Sequence, residues 1–256
     1  MKVVLIGSGN VATNLGTALR ASGIEILQVW SRNALNAQTL ANRLGATSIS
    51  DLALLSPEAD IYLISVIDDA IPLVAAEFKF PDKLLVHTSG TTGIETLKNA
   101  SRRNGVLYPI QTFSKNRAVD FLAIPIAVEA SSPEDLGTLI SLAAKISRKV
   151  IQLNCQQRKA LHIAAVFACN FSNHLYTLGK EILESNELDF DLIRPLILET
   201  ADKVQEMEPE EAQTGPAIRQ DNLIIQRHLE FLQSDNKLKQ LYELFTESII
   251  SKQRSQ

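Results

Sequence analysis

Short apolar runs alternate with helix-period segments along the first 153 residues of the chain. Runs of the first kind predict buried strands at 2–6, 24–30, 61–66, 84–87, 105–108, 125–129 and 149–153. Segments of the second kind predict helices at 10–22 and 34–44, and a further helix that begins near Pro133. Because strands and helices alternate without tight hairpin signals, the pattern favours a doubly wound α/β fold with a mostly parallel sheet.

The strand pattern stops after residue 153. Helical patterns follow at 156–183, 190–206, 217–232 and 237–250, separated by the prolines Pro209 and Pro216. Proline suits the first turn of a helix, so both positions read as helix starts. The sequence therefore predicts two domains, an α/β domain at 1–153 and an all-α domain at 154–256.

Composition narrows the class of protein. A length of 256 residues suits two domains, and 45% hydrophobic with 21% charged residues is typical of a globular chain. The formal net charge is −4 and no basic stripe is present, so we expect no nucleic-acid partner. Two cysteines, Cys155 and Cys169, predict neither a disulfide framework nor a metal site. No apolar run predicts a membrane span, and the early first strand leaves no room for a targeting segment, so a cytoplasmic protein is expected.

The strongest local motif is Gly7-Ser8-Gly9-Asn10-Val11-Ala12, which links the first strand to the first helix. In this G-x-G-x-x-A pattern Gly7 permits a tight turn, Gly9 lets a pyrophosphate approach the backbone, and Ala12 allows close helix–sheet packing. The helix N-terminus offers free N–H groups and a partial positive charge to phosphates. The motif therefore predicts a dinucleotide site.

The end of the second strand indicates which dinucleotide binds. NAD-binding sheets usually place a carboxylate there, whereas this chain has Ser31-Arg32-Asn33. The Arg32 guanidinium can form paired hydrogen bonds with a 2′-phosphate, and Ser31 can donate another. The expected cofactor is therefore NADP(H) rather than NAD(H), the alternative being that Arg32 is only a surface residue.

Three later strand ends are predicted at the same edge of the sheet, where ligands of open α/β sheets bind. The first carries Ser65-Val66-Ile67, and the second begins at His87 with small hydroxyl residues and glycines. The third, residues 108–114, has polar side chains that could orient a substrate, or it is a plain loop. His87 is either a proton carrier near the nicotinamide or a structural histidine.

The first long helix of the all-α half carries a polar stripe. At about 100° per residue, five polar residues fall within an arc of roughly 80°: Lys159, His162, Asn170, Asn173 and Thr177. Polar groups on an otherwise apolar helix need partners or water. The stripe predicts a substrate-binding wall, or alternatively interhelix hydrogen bonds or a dimer seam.

One further segment, Gly215-Pro216-Ala217-Ile218-Arg219-Gln220-Asp221, predicts a helix start beside Arg219, with His228 further along that helix. Such a start could hold a substrate carboxylate or phosphate. The alternative is an ordinary helix start with solvent-facing charges.

Several motifs together resemble the 6-phosphogluconate dehydrogenase-like superfamily, which includes pyrroline-5-carboxylate reductase. The general motifs are Gly7 to Ala12, Leu15-Gly16 and Trp30-Ser31-Arg32. Four others resemble a subgroup of NADP oxidoreductases with a Rossmann domain and a helical domain of unknown function: His87-Thr88-Ser89-Gly90, Pro109-Ile110-Gln111-Thr112-Phe113, Asn170-Phe171 and the 215–221 segment.

The resemblance implies a cleft between the domains, a homodimer through the helical domain, and a set of cofactor contacts. Those contacts are Gly7, Ser8, Gly9, Asn10, Val11, Ser31 and Arg32, with Ser65, Val66 and Ile67 beside them. Hydroxyacid dehydrogenases of the superfamily carry a lysine four residues before a helix asparagine, where this chain has Val166. No Ser/Thr/Gly-rich substrate loop is present in the last helices, which argues against proline synthesis.

These features predict an enzyme that transfers hydride between NADP(H) and a small polar carbonyl, hydroxyl or imine substrate. Four residues are candidates for the chemistry: His162 as first proton carrier, His87 as second, Asn170 to hold the substrate oxygen and Arg219 to anchor a substrate anion. One alternative is a non-catalytic NADP-binding protein with a redox-sensing or assembly role. Another is hydride transfer between NADP and a deazaflavin.

Overall fold

The computed structural model describes residues 1–253. It contains two compact units, one comprising residues 1–169 and a second that begins at Asn170. The first unit is an eight-stranded sheet with helices, and the second is helical.

The sheet has the strand order β3-β2-β1-β4-β5-β6-β7-β8. Its strands are β1 (Lys2–Ile6), β2 (Glu25–Trp30), β3 (Thr47–Ile49), β4 (Ile61–Ile64), β5 (Leu84–His87), β6 (Asn104–Pro109), β7 (Ile126–Ala130) and β8 (Val150–Gln152). Every neighbouring pair is parallel except β6 and β7. The predicted mostly parallel α/β sheet is confirmed.

Helices cover the sheet of the first unit on both faces. They are α1 (Asn10–Ala21), α2 (Ala34–Leu44), α3 (Ile71–Ala76) and α4 (Pro133–Ala143). A further helix, α5 (Cys155–Ala165), follows β8 and contributes no residue to either core. Val3 and Leu5 of β1 belong to the core beneath α1, α2 and α4, whereas Val4 and Ile6 belong to the core beneath α3. Side chains of a strand alternate between faces, so a strand that is apolar throughout fits a sheet buried on both sides.

The chain reverses its direction of travel across the sheet at β1. Strands β1 to β3 extend to one side, and β4 returns to pair with the other side of β1. At its carboxyl end Ile6 is opposite both Trp30 of β2 and Ile64 of β4. Ligands of open α/β sheets bind beyond the strand ends at such a switch point.

Three elements of the first unit differ from the sequence prediction. The short strand β3 and the short helix α3 were not predicted, because three to six residues give too little periodicity to detect. The strand β6 pairs antiparallel with β7, and residues 110–125 connect them without a crossover α-helix. A reversed strand needs only a loop, whereas a parallel one needs a longer crossover.

The predicted helix at 156–183 is interrupted. It consists of α5, a π-helical turn at Val166–Phe171 and α6 (Ser172–Glu184). The second unit continues with α7 (Arg194–Glu206), α8 (Pro209–Ala212), α9 (Asn222–Phe231) and α10 (Asn236–Gln253). The predicted domain boundary lies after residue 153, whereas the sheet unit extends to Cys169 because α5 is anchored to it through Arg158 and His162.

Among the described residues no helix is both long enough and apolar enough to cross a membrane.

Candidate functional site

The two glycines of the turn after β1 differ in the space around them. Gly7 has φ +134°, and a Cβ there would lie 2.2 Å from the Ser65 carbonyl oxygen, so no other residue fits without backbone movement. At Gly9 a Cβ would meet no atom within 4 Å. Gly9 is the N-cap of α1, and no side chain of the described residues caps this helix. The N–H groups that open α1 therefore remain available to an anion.

Two serines fix the backbone beside this turn. The Ser8 hydroxyl donates to the Ser31 hydroxyl at 2.8 Å, and both residues are buried. The Asn33 N–H donates to the Ser31 oxygen at 3.3 Å, and the Asn33 side chain caps α2. Ser31 therefore has a structural role in joining the ends of β1 and β2, in addition to any ligand contact.

Arg32 lies two residues after the end of β2 and is exposed. Among the described residues it forms no ion pair, and no carboxylate occupies positions 31–33. A free guanidinium at this strand end can accept a phosphate as partner, as the sequence predicted.

The ends of β4 and β5 form a second edge of this region. The Ser65 hydroxyl lies 3.2 Å from the Thr88 hydroxyl, which links the two strand ends. Val66 is half-buried and Ile67 is 74% exposed. Ile67 thus presents an apolar surface beside the Gly7 turn, while Ser65 is buried beneath it.

Asn10 and Asn14 of α1 bind the segment after β6. The Asn10 side-chain amide donates to the Phe113 carbonyl at 2.9 Å, and that of Asn14 donates to the Ser114 carbonyl at 3.2 Å. Because the Asn10 side-chain amide already donates to the Phe113 carbonyl, a contact of Asn10 with a cofactor would have to come from its backbone N–H. Val11 follows it in the first turn of α1 and is half-buried.

His87 ends β5 and is fully buried. Its Nδ1 accepts a hydrogen bond from the Ser89 N–H at 3.2 Å, so the neutral ring carries its proton on Nε2. Burial, and after it the positive charge of Arg158, lowers the pKa of His87 to about 4. This environment favours the structural interpretation of His87 over that of a proton carrier.

The loop after β5 is held by one carboxylate. Asp68 accepts hydrogen bonds from the hydroxyls of Ser89, at 2.8 Å, and Thr91. The Ser89 oxygen in turn accepts the Thr92 N–H at 2.9 Å. These three hydrogen bonds hold residues 88–93 near the end of β4.

Arg158 is a fully buried cation that sequence analysis did not identify. Its guanidinium pairs with Glu129 of β7 and donates to the Thr92 carbonyl at 2.9 Å. It also approaches the Leu153 carbonyl at 3.4 Å. An arginine in a helical sequence gives no signal of burial, because long charged side chains usually reach solvent. Arg158 anchors α5 to β7 and to the loop after β5.

His162 lies one helical turn after Arg158 and faces the same loop. Its Nδ1 is 3.2 Å from the Tyr108 hydroxyl of β6, and both residues are half-buried. A Cβ on Gly90 would lie 2.8 Å from Tyr108 Cζ and 3.2 Å from His162 Nδ1. The three residues therefore converge, and glycine at position 90 is what allows the loop to approach the two rings.

Burial raises the pKa of Tyr108, and the nearby Asp68 carboxylate raises it further. The Tyr108 hydroxyl therefore keeps its proton at neutral pH. Sequence analysis placed Tyr108 at a strand end but assigned it no role, since its partner on α5 is 54 positions away.

The π-helical turn interrupts the polar stripe that was predicted on one long helix. A π turn contains more residues than an α turn, so positions after 166–171 do not keep the phase that the 100° spacing assumed. Lys159 and His162 precede the turn, Asn170 lies within it, and Asn173 and Thr177 follow it. Asn170 is exposed. The prediction of a single continuous stripe was wrong.

The helix start predicted at 217 lies at Asn222 instead. Residues 216–220 form a turn in which Gln220 has φ +51°, and the Asp221 side chain caps α9 by accepting the Ile224 N–H at 3.2 Å. Arg219 is exposed within that turn. His228 lies 2.8 Å from the Tyr242 hydroxyl and is engaged within the second unit.

The residues present fit a bound dinucleotide. The Gly7 turn, the space above Gly9 and the uncapped start of α1 suit a pyrophosphate, and Arg32 suits a 2′-phosphate. All lie at the switch point of the sheet.

Comparisons with known proteins agree with this geometry. Residues 2–90 match the family described as NADP oxidoreductase, coenzyme F420-dependent, and residues 124–249 match a domain of unknown function, DUF2520. No curated protein sequence matches the chain. The crystal structure of BF3122, a proposed NADP oxidoreductase from Bacteroides fragilis, is 44% identical, covers 98% of each chain and has a TM-score of 0.91. The chain belongs to this NADP oxidoreductase family.

Two more distant structures share the fold of the NADP oxidoreductase family. A pyrroline-5-carboxylate reductase from Coxiella burnetii is 16% identical, covers 99% of this chain and 97% of its own, and has a TM-score of 0.56. An imine reductase from Myxococcus stipitatus in complex with NADP+ is 14% identical, covers 100% of this chain and 93% of its own, and has a TM-score of 0.63. The resemblance inferred from the motifs and the predicted fold class are confirmed.

Proposed function

We propose that the protein transfers hydride between NADP(H) and a small polar carbonyl, hydroxyl or imine substrate. The observation that carries this proposal is the exposed Arg32, which forms no ion pair with residues 1–253, beside the open Gly9 turn, with no carboxylate at the end of β2 to repel a 2′-phosphate. Bound NADPH would supply the hydride, and the protein would bind and orient the substrate and move the accompanying proton. The imine reductase that shares this fold was solved with NADP+, which supports the choice of cofactor.

Isothermal titration with NADP+, NADPH and NAD+ tests the cofactor. We expect NADP(H) to bind in the micromolar range, and Arg32→Ala to weaken NADP+ binding by about 1.5–3 kcal/mol, as for a charge-assisted contact. Arg43→Ala is the matched control, because Arg43 is also exposed but lies in the last turn of α2. Gly9→Ala should preserve the fold yet weaken every dinucleotide, since its methyl group meets no protein atom. No binding of any dinucleotide would refute the proposal.

His162 is the residue that we assign to the proton. It is half-buried and lies against Tyr108 and Gly90, whereas His87 is fully buried. The roles of Asn170 in holding a substrate oxygen and of Arg219 in anchoring an anion remain proposals, supported by their exposure.

Consumption of NADPH with simple probes tests the reaction. We would assay glyoxylate as the carbonyl and 2-methyl-1-pyrroline as the imine, with His162→Gln beside the control His174→Gln, an exposed histidine of α6. Loss of general acid–base catalysis lowers turnover by about 10²–10⁴-fold. Unchanged turnover in His162→Gln would refute this assignment, and tight NADPH binding without turnover of any substrate would favour the redox-sensing or assembly alternative.

A second candidate reaction is hydride transfer between NADP and a deazaflavin. The observation that favours it is the family match over residues 2–90, whose description names coenzyme F420. Adding coenzyme F420 to the titration separates the two, because binding of F420 in the presence of NADP+ is expected only for the second reaction.

We also propose that a second copy of the chain covers the helical unit. Of the described residues from 170 onward, only Ala217 and Ile225 are buried hydrophobic residues. Large apolar side chains are instead exposed, among them Leu192, Leu196, Leu198, Leu223, Phe231 and Leu244, each 60–64% exposed. Exposed apolar surface on this scale marks an interaction site.

Sedimentation velocity tests the dimer. Leu196→Glu should give a monomer, whereas Leu73→Glu, at a 68% exposed position of α3, should leave the dimer intact. A monomeric wild-type protein at micromolar concentration would refute this part of the proposal.

A further inference from the structure

The Tyr108–His162 contact uses one ring nitrogen and leaves the other free. Nδ1 lies 3.2 Å from the tyrosine hydroxyl, and the two ring planes are inclined by 61° with centroids 6.3 Å apart, which excludes a stacked arrangement. No described residue forms a hydrogen bond with Nε2. The contact is therefore directional and involves a single nitrogen.

The partner of one ring nitrogen determines where a neutral histidine carries its proton. Because the Tyr108 hydroxyl keeps its proton, it can donate to Nδ1, and the ring proton then resides on Nε2. Charged groups on the neighbouring elements include Asp68, whose carboxylate raises the pKa of Tyr108, and Arg158 and Lys159, which precede His162 on α5.

We propose that Tyr108 is a positioning residue that holds His162 in the tautomer with its proton on Nε2 and directs that nitrogen away from the sheet. The inference rests on the proposed function, in which His162 moves the proton that accompanies hydride. In reduction, Nε2–H would give its proton to the substrate oxygen or nitrogen as the carbon receives hydride, while Nδ1 takes the Tyr108 hydroxyl proton, so that the ring stays neutral and the tyrosine oxygen regains a proton from solvent. In oxidation the same transfers would run in reverse, with Nε2 accepting the substrate proton and Nδ1 returning its proton to the Tyr108 oxygen.

Rigid elements support this arrangement from two sides. Arg158 fixes α5 through Glu129 and the Thr92 carbonyl, so the position of His162 one turn later is fixed as well. Tyr108 belongs to β6, which is paired on both edges, by β5 and β7. A side-chain pair built on a helix and a central strand is better defined than one on loops.

Histidine nitrogen NMR on the free protein tests the tautomer directly. In the wild type, His162 should show an unprotonated, hydrogen-bonded Nδ1 and a protonated Nε2. Tyr108→Phe removes only the hydroxyl, and should move the Nδ1 resonance toward that of a free nitrogen and mix the two tautomers. Gly90→Ala keeps the hydroxyl but places a Cβ 2.8 Å from Tyr108 Cζ, and should have the same effect.

The chain contains a matched control. The Tyr242 hydroxyl lies 2.8 Å from His228 Nδ1 in the helical unit. Tyr242→Phe should change the nitrogen resonances of His228 and leave those of His162 unchanged. A protonated Nδ1 on wild-type His162, or a Tyr108→Phe variant with an unchanged Nδ1 resonance, would overturn the proposal.

Cofactor addition separates positioning from a merely structural contact. NADP+ should shift the Nε2 resonance of His162, whereas adenosine 2′,5′-bisphosphate, which lacks the nicotinamide, should not. In Tyr108→Phe the NADP+-induced shift should diminish while the dissociation constant for NADP+ stays within twofold. If NADP+ binds and the wild-type Nε2 resonance does not respond, Tyr108 has no positioning role. If NADP+ fails to bind, the proposed function fails, and the tautomer of the free protein still decides whether Tyr108 holds the ring.

Discussion

Replacing Arg158 by methionine should destabilise the sheet unit far more than replacing a surface arginine. The guanidinium is fully buried, pairs with Glu129 and donates to the Thr92 carbonyl. Removing one partner of a buried ion pair costs about 3–5 kcal/mol, because the other charge stays behind without compensation. The Glu129 side chain is 19% exposed and keeps some hydration, so the lower end applies. We expect the free energy of unfolding to fall by about 3 kcal/mol.

Urea titration followed by tryptophan fluorescence measures this loss. The sequence contains a single tryptophan, Trp30 of β2, so the signal reports on the sheet unit. Arg102→Met is the matched control. Arg102 pairs with Asp82, but their side chains are 73% and 72% exposed, and such pairs contribute less than about 1 kcal/mol.

The double variant Arg158→Met/Glu129→Leu tests why Arg158→Met loses stability. If the unpaired carboxylate is the main penalty, removing it should recover about 2 kcal/mol relative to Arg158→Met, since apolar replacement of a buried pair is often neutral or stabilising. The reasoning is refuted by a loss below about 1 kcal/mol in Arg158→Met, or by a double variant no more stable than the single one.

Three further predictions concern local interactions. The pKa of His87 is about 4 in the folded protein and near 6.5 when unfolded. The unfolded chain therefore binds more protons between these values, and stability should fall by up to about 3 kcal/mol as the pH decreases from 6.5 to 4. His87→Asn should flatten that dependence in urea titrations, and parallel pH profiles would contradict this. Gly7→Ala should destabilise the sheet unit by more than about 2 kcal/mol in the fluorescence assay, because its Cβ meets the Ser65 carbonyl oxygen at a left-handed φ; normal stability would contradict the geometry. Asp221→Ala removes the side-chain cap on the Ile224 N–H and should lower the free energy of unfolding of the helical unit by about 1 kcal/mol. Thermal unfolding followed by circular dichroism measures this loss, and an unchanged unfolding curve would contradict the cap.

Local sequence pattern was sufficient to predict the half of the candidate site around the Gly7 turn. The turn at Gly7 and the strands on either side follow from residues within one strand–turn–helix unit, where periodicity and glycine placement decide the structure. The proximity of Arg32 follows as well, because parallel strands β1 and β2 end at the same edge. These are short-range rules, so one sequence is enough to apply them.

The half of the candidate site around Tyr108 and His162 depends on contacts that no short-range pattern encodes. The π turn at Val166–Phe171 is flanked by two helices whose combined periodicity resembles that of one helix, so the sequence pattern does not reveal the π turn. The burial of Arg158 depends on Glu129 of a strand 29 positions earlier. The antiparallel pairing of β6 with β7 decides where Tyr108 lies.

The two halves of the site are linked by the loop after β5. On one side Thr88 contacts Ser65 at the edge that the Gly7 turn approaches, and on the other Gly90 and Thr92 contact α5. A shift of this loop would alter the position of His162 relative to the cofactor edge even if both elements kept their own structure. Fixed groups stabilise a developing charge only while their geometry is preorganised. Burying the Arg158 guanidinium costs desolvation free energy, and a requirement to hold this loop in place accounts for that cost. The Arg158→Met variant should therefore lose the fixed position of the His162 ring as well as stability.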